Sequence, residues 1–288
     1  MLQLARDARP ETEQAEIVER ARHRAESAVI GTVVRTAQDY AFDRMQHPSL
    51  AWLDHLIAST DNFGALVTIT ASMPEQTLTL RERAADLQST ICDALGRVGT
   101  DTLEATSMRS DMLNNLAVRL SALGRREDAL TAAEEAVSLR RTLAAQRPDA
   151  FRPNLATSLN NLATMLSELG RRGDALTAAE EAVSLRRTLA SQRPDAFRPD
   201  LATSLMVLAN CVDELDRKPE GLAANAEAIE TLAAHFAGLP NAFASLMGNI
   251  CRDYVERCEA LGSDPDVALL VPVIAVFQRL NPDKNDEE

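Results

Sequence analysis

The chain has 288 residues, of which 45% are hydrophobic and only 3% aromatic, with 47 Ala and 38 Leu against 11 Gly. Ala and Leu lose least on entering a helix, and β-branched and aromatic strand formers are scarce, so a β-sandwich or barrel is excluded. A net charge of −13 opposes generic nucleic-acid binding, which depends on cations that neutralise phosphate.

The first residues are too charged for a signal peptide. The longest apolar run, Val267 to Phe277, has 11 residues and contains Pro272, whereas a membrane span needs about 20. A soluble, cytoplasmic protein is expected, with no membrane partner. Residues 1–98 do not repeat and read as a helical N-terminal region: Glu11 to Met45 as one or two helices, a turn at Asp61-Asn62-Phe63-Gly64, and Thr77 to Leu95 as a further helix.

Beyond residue 98 an internal repeat dominates. Residues 113–158 align without gaps on 159–204, with 40 identities in 46 positions, which marks a recent duplication. The same step continues more weakly: Leu205, Leu208, Ala209 and Leu215 follow Leu159, Leu162, Ala163 and Leu169. Four units are expected, about 99–152, 153–198, 199–244 and 245–280, followed by an acidic tail at 281–288. Each reads as two helices. In the second unit Asn154, after Pro153, is placed to cap a helix that Gly170 ends, and the next helix runs to the neighbourhood of Pro194. Asp101 and Glu104 suggest a capping box at the start of the first unit.

These units resemble the tetratricopeptide repeat. The family's small-residue positions fall on Ala117, Ala129 and Ala136, then on Ala163, Ala175 and Ala182, and its large positions on Leu113, Leu116 and Leu120, then on Leu159, Leu162 and Leu166. Leu replaces the usual Trp and Tyr, and the LNNLA motif is similar to kinesin-light-chain repeats. The period of 46 exceeds the usual length of about 34, and the excess is assigned to a longer second helix and an RPDAFRP link. The resemblance implies an all-α fold, a right-handed α-solenoid of helix hairpins over 99–280. The chain is also similar to C-terminal regions of bacterial STAND signalling ATPases.

Catalytic signatures are missing. Neither Lys218 nor Lys284 follows a Gly, so no phosphate loop can be written, and GxSxG, HExxH and CxxC are absent. Cys251 and Cys258 share a helix face but lack further metal ligands, so buried free thiols are expected, with no cofactor. Glu134-Glu135 and Glu180-Glu181 are adjacent in sequence and therefore do not face each other, which fits a solvated convex face. Arg rows such as Arg125-Arg126 and Arg171-Arg172 are expected in loops and at helix ends, some favouring helix C-termini.

The resemblance makes the first helix of each pair the lining of a concave groove. Asn114, Asn115, Asn160 and Asn161 lie there, with Thr164, Ser167, Asn210 and Asp213 one turn away. An Asn amide offers donor and acceptor and can grip an extended peptide's backbone, or it can satisfy a neighbouring helix. The expected function is a non-catalytic scaffold that binds a protein or extended peptide. The alternatives are a regulatory module working with a STAND-type ATPase and an enzyme hidden in 1–98. The run 267–277 has no polar side chain and raises a homodimer through the C-terminal helix. There Val267, Val271 and Ile274 are expected to point inward, with Pro272 kinking or breaking the helix.

Overall fold

The computed structural model describes residues 82, 85–86, 88–93 and 102–280. The expectations for Glu11–Met45, the turn at 61–64 and the tail 281–288 lie outside the described residues. The chain divides into two compact units, Met1–Gly124 and Arg125–Glu288. Among the described residues there are helices and turns and no strand.

In the first unit, the described residues between 82 and 93 are helical, with Ala85, Ile91 and Cys92 buried. Gln88, also buried, donates from its amide to the Met112 carbonyl at 2.8 Å. That carbonyl belongs to α1 (Leu103–Ala122). The N-cap of α1 is Thr102, whose hydroxyl accepts from the Ala105 N–H at 3.1 Å; the cap is therefore not an Asp101–Glu104 box. A Thr hydroxyl in extended backbone meets one of the four orphan N–H groups directly.

The second unit holds α2 (Arg126–Gln146), α3 (Pro148–Glu168), α4 (Arg172–Gln192), α5 (Pro194–Asp213), α6 (Lys218–Gly238), α7 (Pro240–Leu261) and α8 (Val267–Leu280). Each helix from α2 to α7 packs on the next, and α8 lies against α6 and α7. Stacked hairpins are needed because a single pair leaves one apolar face open.

Two expected boundaries move. The first helix of a pair starts at Pro148 and Pro194, not after Pro153 and Pro199, which now sit inside α3 and α5. Pro at the first helical position forfeits only an N–H that has no partner there and has its φ preset for the helix. The RPDAFRP segment thus forms the opening turns of the first helix, and the link is one residue, Arg147 or Arg193, at φ near −137°. The extra length of the repeat is spent on the first helix as well as the second.

The turns inside the hairpins follow the sequence. Gly170 stands at φ 73°, its N–H bonding the Ser167 carbonyl, while the Arg171 N–H reaches the Leu166 carbonyl, both at 2.8 Å. This is the left-handed stop that glycine permits. Asp216 occupies the equivalent place in the next hairpin at φ 60°, with the Arg217 N–H on the Val212 carbonyl at 3.0 Å.

Close packing runs through the small positions. Ala163, Ala175 and Ala182 have no exposed surface, nor do Ala209 and Ala228. Gly221 takes the Ala175 position in α6, where an added Cβ would stand 3.1 Å from the Ala209 carbonyl and 2.2 Å from Asp213 Oδ1. The core of the later repeats continues through Leu205, Ile229, Leu232, Phe236, Met247 and Ile250 to Val273 and Val276.

The register of α8 is the reverse of the expected one. Val273 and Val276 are buried, and Phe277 packs on Phe236 with ring centroids 4.7 Å apart, whereas Val267, Val271 and Ile274 are exposed. The helix also runs unbroken through Pro272, whose exposed position leaves the carbonyl it cannot bond open to water. The aromatic Phe236 fixes which stripe turns inward, a constraint that the helical period alone does not carry.

Candidate peptide-binding face

The first-helix positions named above belong to two units. In α1, Asn114 is buried and Asn115 exposed. In the second unit, Asn160, Asn161, Thr164 and Ser167 lie on α3, and Asn210 and Asp213 on α5. Thr164 and Asn210 are exposed; the other four are half-buried.

Polar bonds step from each first helix to the next. Asn160 Nδ2 donates to Ser204 Oγ at 2.8 Å, and Ser167 donates to the Glu214 carboxylate. Arg257 of α7 donates through Nη2 to Asn210 Oδ1 at 2.7 Å, and its Nε lies 2.7 Å from Asp213 Oδ2. The donor of Asn160 is therefore committed to the neighbouring helix, while its Oδ1 is buried with no hydrogen-bond partner.

The structure brings Asn210 and Asp213 together around Arg257, beside a cavity of about 350 Å³ that is also lined by Lys218, Asp253, Glu256 and Ala260. Arg257 is itself 9% exposed and bridges to Asp213 and, at 4.0 Å, to Asp253. Burial raises the Asp253 carboxyl above its usual range; Arg257 opposes that shift, and Glu256 and Asp213 add to it. The cavity wall thus carries three carboxylates against two cations, one of which is already paired.

Sequence reasoning missed Asp253, Glu256 and Arg257. The signal was available: stepping 46 residues from Asn161 and Thr164 gives Val207 and Asn210, and again gives Asp253 and Glu256. Arg257 falls on the position of the buried Met165 and Cys211, where a charge is not anticipated.

The charged residues on the second helices join repeats. Arg187 holds Glu227 through two bonds of 3.1 and 2.6 Å, and Arg141 holds Glu181 in the same way one repeat earlier. Arg125, Arg171 and Arg217 pair with Asp128, Asp174 and Glu220. These three arginines stand at helix N-caps and not at C-termini, because a carboxylate three residues on offsets their charge against the dipole.

Buried Arg140 donates to the Asn154 carbonyl at 2.7 Å and to Ser158. Its repeat equivalent Arg186 reaches Thr157 and the Asp200 carboxylate, each at 2.7 Å. The cysteines are free, with Cys92, Cys211 and Cys258 buried and Cys251 half-buried, so the expected buried thiol is found at Cys258 and not at Cys251. Among the described residues no three His, Cys, Asp or Glu side chains converge as metal ligands, and no helix is long and apolar enough to cross a membrane.

Comparison with known proteins agrees with this architecture. A kinesin-light-chain-like protein of Podosopora anserina with nearly identical TPR-like repeats is 17% identical, covering 77% of this chain and 95% of that one, with a TM-score of 0.53. BtubC (BKLC) of P. vanneervenii is 14% identical, covering 90% of this chain and 92% of that one, with a TM-score of 0.50. No curated protein matches the chain significantly. The tetratricopeptide-repeat family model matches residues 110–146 and 155–195, and with the packed small positions and stacked hairpins it identifies these segments as tetratricopeptide repeats.

Proposed function

We propose that the chain is a non-catalytic protein-binding module that takes an extended polypeptide segment along the first helices α3, α5 and α7. The observation that carries this reading is a row of exposed polar side chains, Thr164, Asn210 and Glu256, at one repeat position on the first helices of three successive pairs, with the cavity at its end. Because each repeat offers the same position, a chain laid across the row meets similar groups at regular intervals. The bonds among Asn160, Ser204, Asn210 and Arg257 hold the row in place, so less ordering remains to be done on binding.

Asp253 and Glu256 on the cavity wall favour a segment with a Lys or Arg at the matching point. Asn161, Thr164 and Ser167 would bind the backbone of the segment through their side-chain amide and hydroxyl groups. The test is a peptide array probed with the whole chain and with a Thr164→Ala, Asn210→Ala, Glu256→Lys variant. The wild type is expected to select basic peptides and the variant to lose them while keeping its helical circular dichroism. Equal selection by both chains removes the face from the reading.

A further inference from the structure

The three exposed side chains of the row differ in the sense in which they can hydrogen-bond. Thr164 donates its hydroxyl proton to the Asn160 carbonyl at 3.1 Å, one turn back in α3, so its Oγ1 is left to accept. Glu256 ends the row with a carboxylate, which accepts and does not donate. Asn210 carries both an acceptor and a donor, and here the next repeat removes the choice. Arg257 Nη2 lies 2.7 Å from Asn210 Oδ1, and a guanidinium has no lone pair to offer, so the amide oxygen and not the amide nitrogen must face it. Turning the amide over would set two donors against each other. Among the described residues nothing accepts from Asn210 Nδ2, on the other side of the amide.

Arg257 is itself held in place. It is buried, its Nε lies 2.7 Å from Asp213 Oδ2, and its Nη1 donates to the Asp253 carbonyl at 3.2 Å. Asp213 fits there because Gly221 has no side chain; an added Cβ would collide with Asp213 Oδ1. One repeat earlier Cys211 and Ala175 take the places of Arg257 and Gly221, and Thr164 is oriented by its own helix instead.

We propose that Arg257 is a positioning residue that makes Asn210 a one-way donor, so that the face selects a segment presenting a donor at Thr164, an acceptor at Asn210 and a cation at Glu256. The acceptor at Asn210 is a backbone carbonyl, because Asp213, Asp253 and Glu256 around the adjoining cavity repel an acidic side chain. This inference rests on the peptide-binding reading and adds to it the direction of each bond.

The test uses an Arg-containing peptide that the wild type takes from the array, titrated by fluorescence polarisation. Asn210→Asp keeps the oxygen toward Arg257 and replaces the outward donor by an acceptor. A face that reads charge alone would bind the basic peptide more tightly through the added carboxylate; a directed donor should instead lose about tenfold in affinity. Replacing the peptide's backbone amides by esters, one at a time, weakens single carbonyls as acceptors. One position is expected to lose affinity for the wild type and to be silent for Asn210→Ala. Arg257→Met lets the amide turn, so the loss at that position should shrink, whereas Arg257→Lys, which also only donates, should keep it. Circular dichroism checks that each variant is folded, and the Asn210→Asp result stands without either Arg257 variant. A wild type that takes no peptide removes the peptide-binding reading and this inference together. Unchanged or tighter binding by Asn210→Asp, an ester profile that Asn210→Ala does not alter, or a full ester loss in folded Arg257→Met overturns this inference alone.

Discussion

At the residue scale, backbone conformation and burial set what single side chains contribute. Asp216 is the one non-glycine residue with positive φ among those described, at the place where the preceding hairpin has Gly170. A left-handed non-glycine costs about 1–2 kcal/mol, less for Asp than for most. Asp216→Gly is therefore expected to stabilise the chain by up to about 1 kcal/mol, read as a higher midpoint in a thermal melt. Burial pushes the thiols of Cys211 and Cys251 up to about 11, with Glu214 adding to the shift at Cys211. A group whose folded pKa is raised contributes stability below its unfolded pKa and loses it as pH climbs through the folded one. The chain should therefore lose stability as pH rises from the ordinary thiol range toward 11, and Cys211→Ser should reduce that loss. Alkylation of Cys211 by iodoacetamide at pH 8 should be slow in the folded protein and fast in denaturant; equal rates would show that this thiol is not buried.

At the element scale, helices meet where side chains are small and where polar groups reach the next repeat. Ala175 is fully buried in α4, and the equivalent Gly221 leaves no room for even a methyl group. Ala175→Leu should destabilise by about 1–3 kcal/mol or more, measured by urea unfolding, through overpacking. The Asn160–Ser204 bond ties α3 to α5 across a repeat boundary. Asn160→Ala should cost about 0.5–1.5 kcal/mol, and Ser204→Ala should add little once Asn160 is gone. Full additivity in that cycle would mean that the two side chains do not interact.

At the scale of the whole molecule, stability passes between neighbouring repeats. Phe236 is fully buried in α6 and stacks on Phe277 of α8, so it joins the last hairpin to the one before. Phe236→Ala should cost about 3–5 kcal/mol, concentrated at this end of the array. Hydrogen exchange should show lost protection over residues 240–280 while α3 and α4 keep theirs. Uniform loss over the second unit would instead show that it unfolds as one block.

The helical class, the duplication, the hairpin stop at Gly170 and the small positions that let helices approach are all legible in the amino-acid sequence. These are legible because period, glycine and side-chain volume act locally or recur every 46 residues. Helix starts were less legible, since Pro153 and Pro199 look like boundaries until Pro148 and Pro194 have already begun the helix. The candidate face was half legible: Asn210 and Asp213 were visible on one helix, but Arg257, which binds both, comes from the next repeat. That partnership, the commitment of Asn160 to Ser204, and the stripe of α8 that turns outward emerge from helix packing alone. Each is a contact between helices some 40 residues apart, or a rotation about a helix axis fixed by one aromatic pair. A local pattern specifies which faces are apolar, and packing against a particular neighbour specifies which of them is buried.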